Sequence, residues 1–562
     1  MEHIYEEHRQ HRPQSLNGDW AFCPDPRRVG KNEEWYRHFP ADARAVCVPG
    51  CWNSEPGLFS YAGTAWYKKE FCTKDCFLRI EFGAVSGYAE VYLDGEFLGD
   101  HYGGWGAFSV AKNVMEGRHT LVLSVDASSN DRNTIPLQKV DWYHYGGITR
   151  SVQFTEYDNP CIGTHRISYD LDEGLTSATL NVTFRLENLP GAGYATPVRI
   201  CLDDTLLYTE NHLFDETGRF EIRGIRIPDI RLWDVGKPAL YKVTIETADD
   251  DLTEQIGFRR VEVRGDKVYL NGRPVFFRGV NRHEEHPDWG FALPANLQKR
   301  DVEILKDLHC NIVRGSHYPN SHTFLDYLDR EGILFWSEIP MWGFPAAALA
   351  DPLTKKRGLD MHREMIEQYY HHPCIVLWGL HNEIDTSSEA AYEITRAFSE
   401  CVRKADGSRP ITYATCHFHE DICLEFADVV ALNYYFGWYR GTVDDWDKFF
   451  EEIPTIAAAR HAGGKPVVIS EFGCAAIAGY SHFSDDKWTM QYQSELIEKV
   501  ITLAKKNDRI CGTFVWQFAD IKSDMDINRA RSFNNKGILD EYRRPKFAYY
   551  TVKRLYTEDG GE

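Results

Sequence analysis

From about residue 270 onward, the chain alternates short apolar runs with longer amphipathic stretches, and this alternation constrains the fold more than any other feature. Each run has the length and continuous apolar character of a strand that is buried on both faces. Eight such runs occur: Val275–His283, Asn311–His317, Ile333–Glu338, Ile375–Glu383, Ile411–His417, Val429–Tyr435, Val467–Glu471 and Gly512–Gln517. One intervening stretch repeats apolar residues at helical spacing: Trp488, Tyr492, Leu496, Val500 and Leu503. Eight strands separated by helices predict a (β/α)8 TIM barrel, with its active site at the carboxyl ends of the strands.

Two of these runs end in a glutamate, Glu383 in the fourth and Glu471 in the seventh. The fourth and seventh strands of an eight-strand ring lie on opposite sides, so the two side chains can face each other across the mouth of the barrel. Glycoside cleavage needs one protonated and one ionised carboxyl group at such a position. For either glutamate alone, an exposed salt bridge at a strand end is the simpler interpretation.

The chain upstream of the barrel is predicted to be all β. Residues 13–158 contain short alternating strands with turn residues between them, and Asp94-Gly95 predicts a hairpin. Residues 159–262 continue with strands over a length that suits an immunoglobulin-like sandwich. We therefore expect three domains, at residues 1–158, 159–262 and 263–562.

Charge and composition exclude several classes of partner. The formal net charge of −21 disfavours binding to nucleic acid or to an anionic membrane. The N-terminus is charged where a signal peptide would be apolar, and no apolar run reaches transmembrane length, which predicts a cytoplasmic protein. The 14 cysteines form no CxxC pair, and several fall on predicted buried strands, so we expect reduced core residues.

The sequences around both glutamates resemble known signatures. Asn382-Glu383 and Glu471-Phe472-Gly473 are similar to the acid/base and nucleophile motifs of glycoside hydrolase family 2. The segments Leu16–Trp20, Val48–Trp52 and Trp66-Tyr67 resemble the jelly-roll domain that opens these enzymes. The resemblance implies a multidomain fold with an N-terminal jelly roll, an immunoglobulin-like β-sandwich and a catalytic TIM barrel.

The resemblance also implies a chemistry. Glu471 would attack the anomeric carbon, and Glu383 would protonate the leaving oxygen and then activate water, in a retaining double displacement. Asn382 would bind the sugar 2-hydroxyl. Neither a metal nor an organic cofactor is implied.

A segment after the eighth run suggests the sugar. Asn534-Asn-Lys536-Gly resembles the motif with which the β-glucuronidases of the family hold the C6 carboxylate of glucuronic acid. An ammonium and an amide that converge on a carboxylate form charge-assisted hydrogen bonds. Taken alone, the tetrapeptide is a turn signal. The strand Phe514–Asp520 before it favours the functional interpretation.

Five other residues match sugar-contacting positions of the family: Asp141, His317, Tyr435, Tyr439 and Trp516. Asp141 would be contributed by the first domain and would bind a sugar hydroxyl. The two tyrosines would lie near the nucleophile and the carboxylate, and Trp516 would stack under the pyranose. Aromatic packing in the core is the alternative for these rings.

Two features depart from the family pattern. Arg531 stands three residues before Asn534, where better-known enzymes have an arginine four before it, so its contact with the carboxylate is left open. After the third run the chain reaches the next helix by about residue 358, without a long covering loop, which predicts an open site that prefers larger aglycones. His283-Glu-Glu-His286 lacks the HExxH spacing of a zinc protease, and we predict hydrogen bonding there rather than metal binding.

These observations predict an exo-β-glucuronidase that acts on small-molecule or oligosaccharide β-glucuronides. The resemblance further implies a homo-oligomer without nucleic acid or membrane partners. β-Galactosidase and β-galacturonidase activities would share both glutamates and stay open as alternatives. A non-catalytic carbohydrate-binding protein on the same scaffold is the alternative from another class.

Overall fold

The computed structural model describes residues 3–128, 134–137, 139–523 and 529–557. The chain forms two β-sandwich units followed by a closed parallel barrel. Within the described ranges, no helix combines the length and apolar character needed to cross a bilayer. The cysteines are free thiols; Cys511 is buried on the eighth barrel strand, as predicted, whereas Cys374 is buried directly before the fourth strand.

The first unit packs two antiparallel sheets around a core that includes Trp20, Phe22 and Leu123. The four-stranded sheet has the order Gln14–Ser15, Val152–Tyr157, Cys76–Phe82 and Phe108–Val114. The six-stranded sheet has the order Arg44–Val48, Gly18–Asp25, Thr64–Thr73, Gly117–Asp126, Tyr88–Leu93 and Glu96–Tyr102. Asp94 and Gly95 both have positive φ, which confirms the predicted hairpin turn.

The second unit is a seven-stranded sandwich, the number of strands in a constant-type immunoglobulin domain. One sheet contains Cys161–Leu171, Ala178–Glu187 and Arg219–Ile227. The other contains Thr205–Phe214, Tyr194–Leu202, Tyr241–Glu246 and Asp251–Ile256. A small antiparallel sheet of Val261–Arg264, Lys267–Leu270 and Arg273–Pro274 leads into the barrel.

The barrel closes from eight parallel strands, because the first pairs with both the second and the eighth. The strands are Phe277–Arg282, Ile312–Gly315, Leu334–Glu338, Ile375–Asn382, Ile411–Thr415, Val429–Asn433, Val467–Phe472 and Ile510–Val515. The helices around them are α1 Ala295–Asp307, α2 His322–Glu331, α3 Ala346–Leu349, α4 Pro352–Tyr369, α5 Glu389–Ala405, α6 Asp445–Ala459, α7 Met490–Lys506 and α8 Phe547–Thr557. Every predicted run overlaps one of the strands, and six of the eight contain the whole strand, so the predicted fold class is confirmed.

One helix prediction needs correction. Helix α7 begins at Met490, so Trp488 lies outside it with a φ of 79°, and the side chain of Thr489 caps the helix by accepting a hydrogen bond from the backbone N–H of Tyr492. After the third strand, α4 begins at Pro352, in agreement with the prediction of a helix by about residue 358. The proline suits the first helical turn because its missing N–H would have no helical partner there.

Candidate active site

The two glutamates lie at the carboxyl-terminal face of the barrel, where the sequence places them. Glu383 directly follows the fourth strand, and Glu471 is the penultimate residue of the seventh. Asn433 ends the sixth strand and is paired in register with Glu471. This is the face on which TIM-barrel enzymes carry their catalytic groups.

Glu471 is held through both carboxylate oxygens. Arg314, on the second strand, donates from Nη1 to Oε1 at 2.7 Å, and the Tyr435 hydroxyl donates to Oε2 at 2.7 Å. Only 3% of Glu471 is exposed. The two bonds fix the plane of the carboxylate and place a positive charge beside it, an arrangement that suits a nucleophile.

Glu383 has a different environment. Its Oε1 accepts a hydrogen bond from the Asn433 side chain at 2.8 Å. Burial and the neighbouring negative charge of Glu471 raise the pKa of Glu383 to about 8. Most of the Glu383 population is therefore protonated at neutral pH, as a general acid must be.

A chain of amide and guanidinium contacts connects the two carboxyl groups. Oδ1 of Asn382 accepts from Arg314 Nη2 at 2.6 Å and from Asn433 Nδ2 at 3.2 Å. Arg314 also donates to Glu471, through Nη1, and Asn433 Nδ2 also donates to Glu383. The Asn382 Nδ2 group is buried without a partner among the described residues, so a donor is left over at the centre of the site.

Arg314 is itself held in place by Glu338. It donates from Nη2 to Glu338 Oε1 at 2.8 Å, and His317 Nδ1 lies 2.8 Å from the same oxygen. Burial raises the pKa of Glu338 to about 7, whereas burial and the Arg314 charge lower the pKa of His317 to about 3. His317 is therefore neutral, and its ring stacks on Trp516 with centroids 5.2 Å apart. Both rings are buried.

The predicted carboxylate-binding residues form a second cluster. Lys536 is 1% exposed, and its Nζ donates to the Tyr439 hydroxyl at 2.6 Å. The same Nζ lies 3.5 Å from Asn534 Oδ1 and 5.6 Å from the ring centroid of Tyr435. Tyr435 therefore joins this cluster to Glu471.

Asp141 reaches this cluster from the first domain. It accepts from Asn534 Nδ2 at 2.9 Å, from Ser523 at 3.1 Å and from Arg529 Nε at 2.8 Å. Burial by itself would raise the pKa of Asp141, but the hydrogen bonds from Arg529 and the charge of Lys536 hold it below its usual value. The carboxylate is thus ionised and largely engaged by protein donors.

Arg529 was missed by the sequence analysis, which considered Arg531. The side chain of Arg531 is 46% exposed and pairs with Glu541, so the structure does not bring it into the cluster. Arg529 also donates to the Tyr439 hydroxyl at 3.1 Å. A sequence signal existed, since a second arginine lies two residues earlier, but the left-handed conformation of Arg531 that orients the loop cannot be read from it.

The two histidines of the His283–His286 segment both form hydrogen bonds, as predicted. His283 Nδ1 lies 3.2 Å from the Tyr318 hydroxyl. Burial and the positive charges near it hold the pKa of His283 well below its usual value. Among the residues that the structure describes, neither His283 nor His286 belongs to a group of three possible metal ligands.

A barrel with two carboxylates in different environments at its mouth is the arrangement of a glycoside hydrolase. Comparison with protein families agrees: the TIM barrel domain of glycosyl hydrolases family 2 matches residues 261–558, the sugar binding domain of that family matches residues 13–158, and a further family 2 domain matches residues 162–259. The chain therefore belongs to glycoside hydrolase family 2.

Individual relatives extend this result. A β-glucuronidase from Paenibacillus borealis is 27% identical over 97% of each chain, and a β-galactosidase from Thermoanaerobacterium thermosulfurigenes is 30% identical over 86% of this chain and 67% of its own. Among solved structures, a family 2 β-galacturonidase from Eisenbergiella tayi with bound galacturonate has a TM-score of 0.90 and 30% identity, and a Ruminococcus gnavus β-glucuronidase has 0.88 and 25%. Each of these two alignments covers 99% of both chains.

Proposed function

We propose that this glycoside hydrolase is a retaining exo-β-glucuronidase. The observation that carries the proposal is the charge of Lys536. This lysine is buried beside the catalytic carboxyl groups, yet among the described residues no carboxylate lies within salt-bridge distance of its Nζ. The equally buried Lys546, by contrast, forms an ion pair with Asp520 at 2.8 Å. A buried charge without a counter-charge is costly, and a substrate carboxylate would supply one.

The rest of the cluster supports an anionic sugar. Arg529 neutralises Asp141, so the ammonium of Lys536 gives the pocket a net positive charge. The hydroxyl of Tyr439, which accepts from Lys536 and Arg529, can donate its own proton to a substrate oxygen. A uronate carboxylate placed against Lys536 would gain charge-assisted hydrogen bonds, whereas a neutral hexose would leave the ammonium unpaired.

The proposed reaction has two steps. Glu471 attacks the anomeric carbon while Glu383 gives its proton to the leaving oxygen, which forms a glycosyl-enzyme and releases the aglycone. Glu383, now ionised, then takes a proton from water, which attacks the same carbon and frees Glu471. The spare Nδ2 donor of Asn382 is available to the sugar 2-hydroxyl, where a hydrogen bond strengthens at the transition state.

β-Galacturonidase activity is the second candidate, because the Eisenbergiella tayi galacturonidase shares the whole fold at 30% identity. Galacturonate and glucuronate have the same C6 carboxylate and differ only in the orientation of the 4-hydroxyl. The contacts of Lys536 would therefore serve both sugars.

Hydrolysis of four matched aryl β-D-glycosides tests these proposals: glucuronide, galacturonide, glucoside and galactoside. We expect kcat/KM to be highest for the glucuronide, with each neutral sugar lower by roughly 10- to 100-fold or more, the value of one charge-assisted hydrogen bond. A preference for the galacturonide would favour the second candidate, and a preference for a neutral glycoside would refute both. Binding without turnover, unchanged in Glu471→Gln, would identify a carbohydrate-binding protein instead. The first-formed product should be the β-anomer by NMR, and the α-anomer would refute retention.

We also propose that the site accepts large aglycones. Only residues 339–345 separate the third strand from the short helix α3, which is too little chain to form a long cover over the pocket. The expected result is a higher kcat/KM for oligosaccharide glucuronides than for small aryl glucuronides. Comparable values would contradict the idea without affecting the choice of sugar.

A further inference from the structure

Three histidines that are far apart in the chain lie close together near the start of the fourth barrel strand. They are His3, His322 at the start of α2, and His372 just before the fourth strand. One ring nitrogen from each lies within 4.8 Å of the other two. The fourth strand begins three residues after His372 and runs toward Glu383 over eight residues, roughly 26 Å. The cluster therefore lies outside the catalytic pocket.

Carboxylates orient two of these imidazoles. Nδ1 of His3 lies 3.1 Å from both oxygens of Asp326, and Nδ1 of His372 lies 2.6 Å from Asp329 Oδ2. A carboxylate that accepts from Nδ1–H fixes the tautomer and directs the other nitrogen, Nε2, toward an ion. This is the usual outer contact of a metal-binding histidine.

His322 supplies the third imidazole. Its Nδ1 lies 2.9 Å from His372 Nε2, and its Nε2 is buried without a partner in the described part of the chain. A shift of its proton from Nδ1 to Nε2 would leave Nδ1 and His372 Nε2 both open to one ion.

A neighbouring cluster gives a useful contrast. His165 Nε2 lies 2.7 Å from Glu254 Oε1, His371 Nδ1 lies 3.3 Å from the same oxygen, and the other nitrogen of His371 accepts from the Ile167 N–H. These groups satisfy one another without an ion. The thiol of Cys374, which lies near His372, donates to the backbone carbonyl of Leu325 at 3.8 Å.

We propose that His3, His322 and His372 form a structural site for a divalent transition metal, with zinc the best match. Three imidazoles suit zinc, which takes four ligands in structural sites. The carboxylate of Glu7, whose Oε1 lies 3.9 Å from His3 Nε2, would be the fourth ligand. Such an ion would tie the N-terminal segment to α2 and to the start of the fourth strand.

This site could not be predicted from the sequence. The histidines are too widely separated to form a recognisable ligand motif, and the sequence analysis therefore predicted none.

Calorimetric titration of the chelator-treated full-length enzyme with Zn²⁺ tests the proposal. We expect one equivalent per chain, a rise in Tm, and intense visible absorption of a four-coordinate ion when Co²⁺ replaces zinc. His3→Gln and His322→Gln should each abolish this binding while leaving hydrolysis at moderate temperature unchanged, which also shows that they are folded. Asp326→Asn should weaken binding about 10- to 100-fold.

His165→Gln is the matched control, since it alters the neighbouring self-satisfied cluster and should bind zinc like the wild type. Failure of the wild type to bind Zn²⁺ would overturn the proposal. Binding that survives His322→Gln but is lost in His165→Gln would overturn it as well, by placing the ion in the other cluster.

Discussion

Glu383→Ala should affect poor leaving groups far more than good ones. With a pKa of about 8, about nine-tenths of Glu383 is protonated at pH 7 and can donate to the departing oxygen. General acid catalysis typically contributes about 10²- to 10⁴-fold. We therefore expect kcat/KM for an alkyl or simple phenyl glycoside to fall by about that factor. An aryl group that leaves readily as its anion needs little protonation, and its kcat/KM should fall less than about tenfold.

The pH profile gives an independent readout of the same group. Because the acid must carry its proton, wild-type kcat/KM on the poor leaving group should decline as the pH rises through about 8. That decline should be absent in Glu383→Ala with the activated substrate. Replacing the neighbouring negative charge in Glu471→Gln should lower the pKa of Glu383, which NMR titration of its carboxyl carbon can follow.

The assay measures initial rates for a series of leaving groups, with circular dichroism and Tm as controls for folding. Equal losses in Glu383→Ala for good and poor leaving groups would refute its role as the acid. An unchanged alkaline decline in the same variant would refute it equally.

Two further predictions concern residues around this pair. Tyr435→Phe should lower kcat about 10- to 100-fold at an unchanged Tm, because it removes only the hydroxyl that donates to Glu471. A kcat within about twofold of the wild-type value would contradict this role. Arg529→Gln should raise KM for the preferred uronide about tenfold or more, because it removes the hydrogen bonds that hold Asp141. In Arg531→Gln, KM should stay within about twofold of the wild-type value. Steady-state kinetics that show the reverse order would contradict the assignment.

The barrel could be predicted because its strands are uninterrupted apolar runs that end in polar residues. The same rule placed Glu383 and Glu471 on one rim without further information. Each of these two predictions needed only local information: a strand, the end of that strand and a carboxyl group. The start of α7 was misplaced because Trp488 continues the apolar spacing while its backbone is not helical.

The roles of Arg314 and Asn433 could not be predicted in this way. Both stand in the predicted runs, but their contacts with the two glutamates cross between strands that are distant in the chain. Arg529 was missed for a related reason, since its partner Asp141 belongs to another domain. Spacing reports periodicity along one element, whereas these contacts depend on how separate elements meet.

The central claim is that Lys536 selects a sugar carboxylate, and one ratio tests it most directly. This ratio is kcat/KM for an aryl β-D-glucuronide over kcat/KM for the matched β-D-glucoside, measured for the wild type and for Lys536→Ala. We predict a strong preference for the glucuronide in the wild type and a ratio at least about tenfold smaller in the variant, because an ammonium–carboxylate bond contributes about 1.5–3 kcal/mol. A wild type that prefers the glucoside, or a ratio unchanged by Lys536→Ala, would contradict the claim.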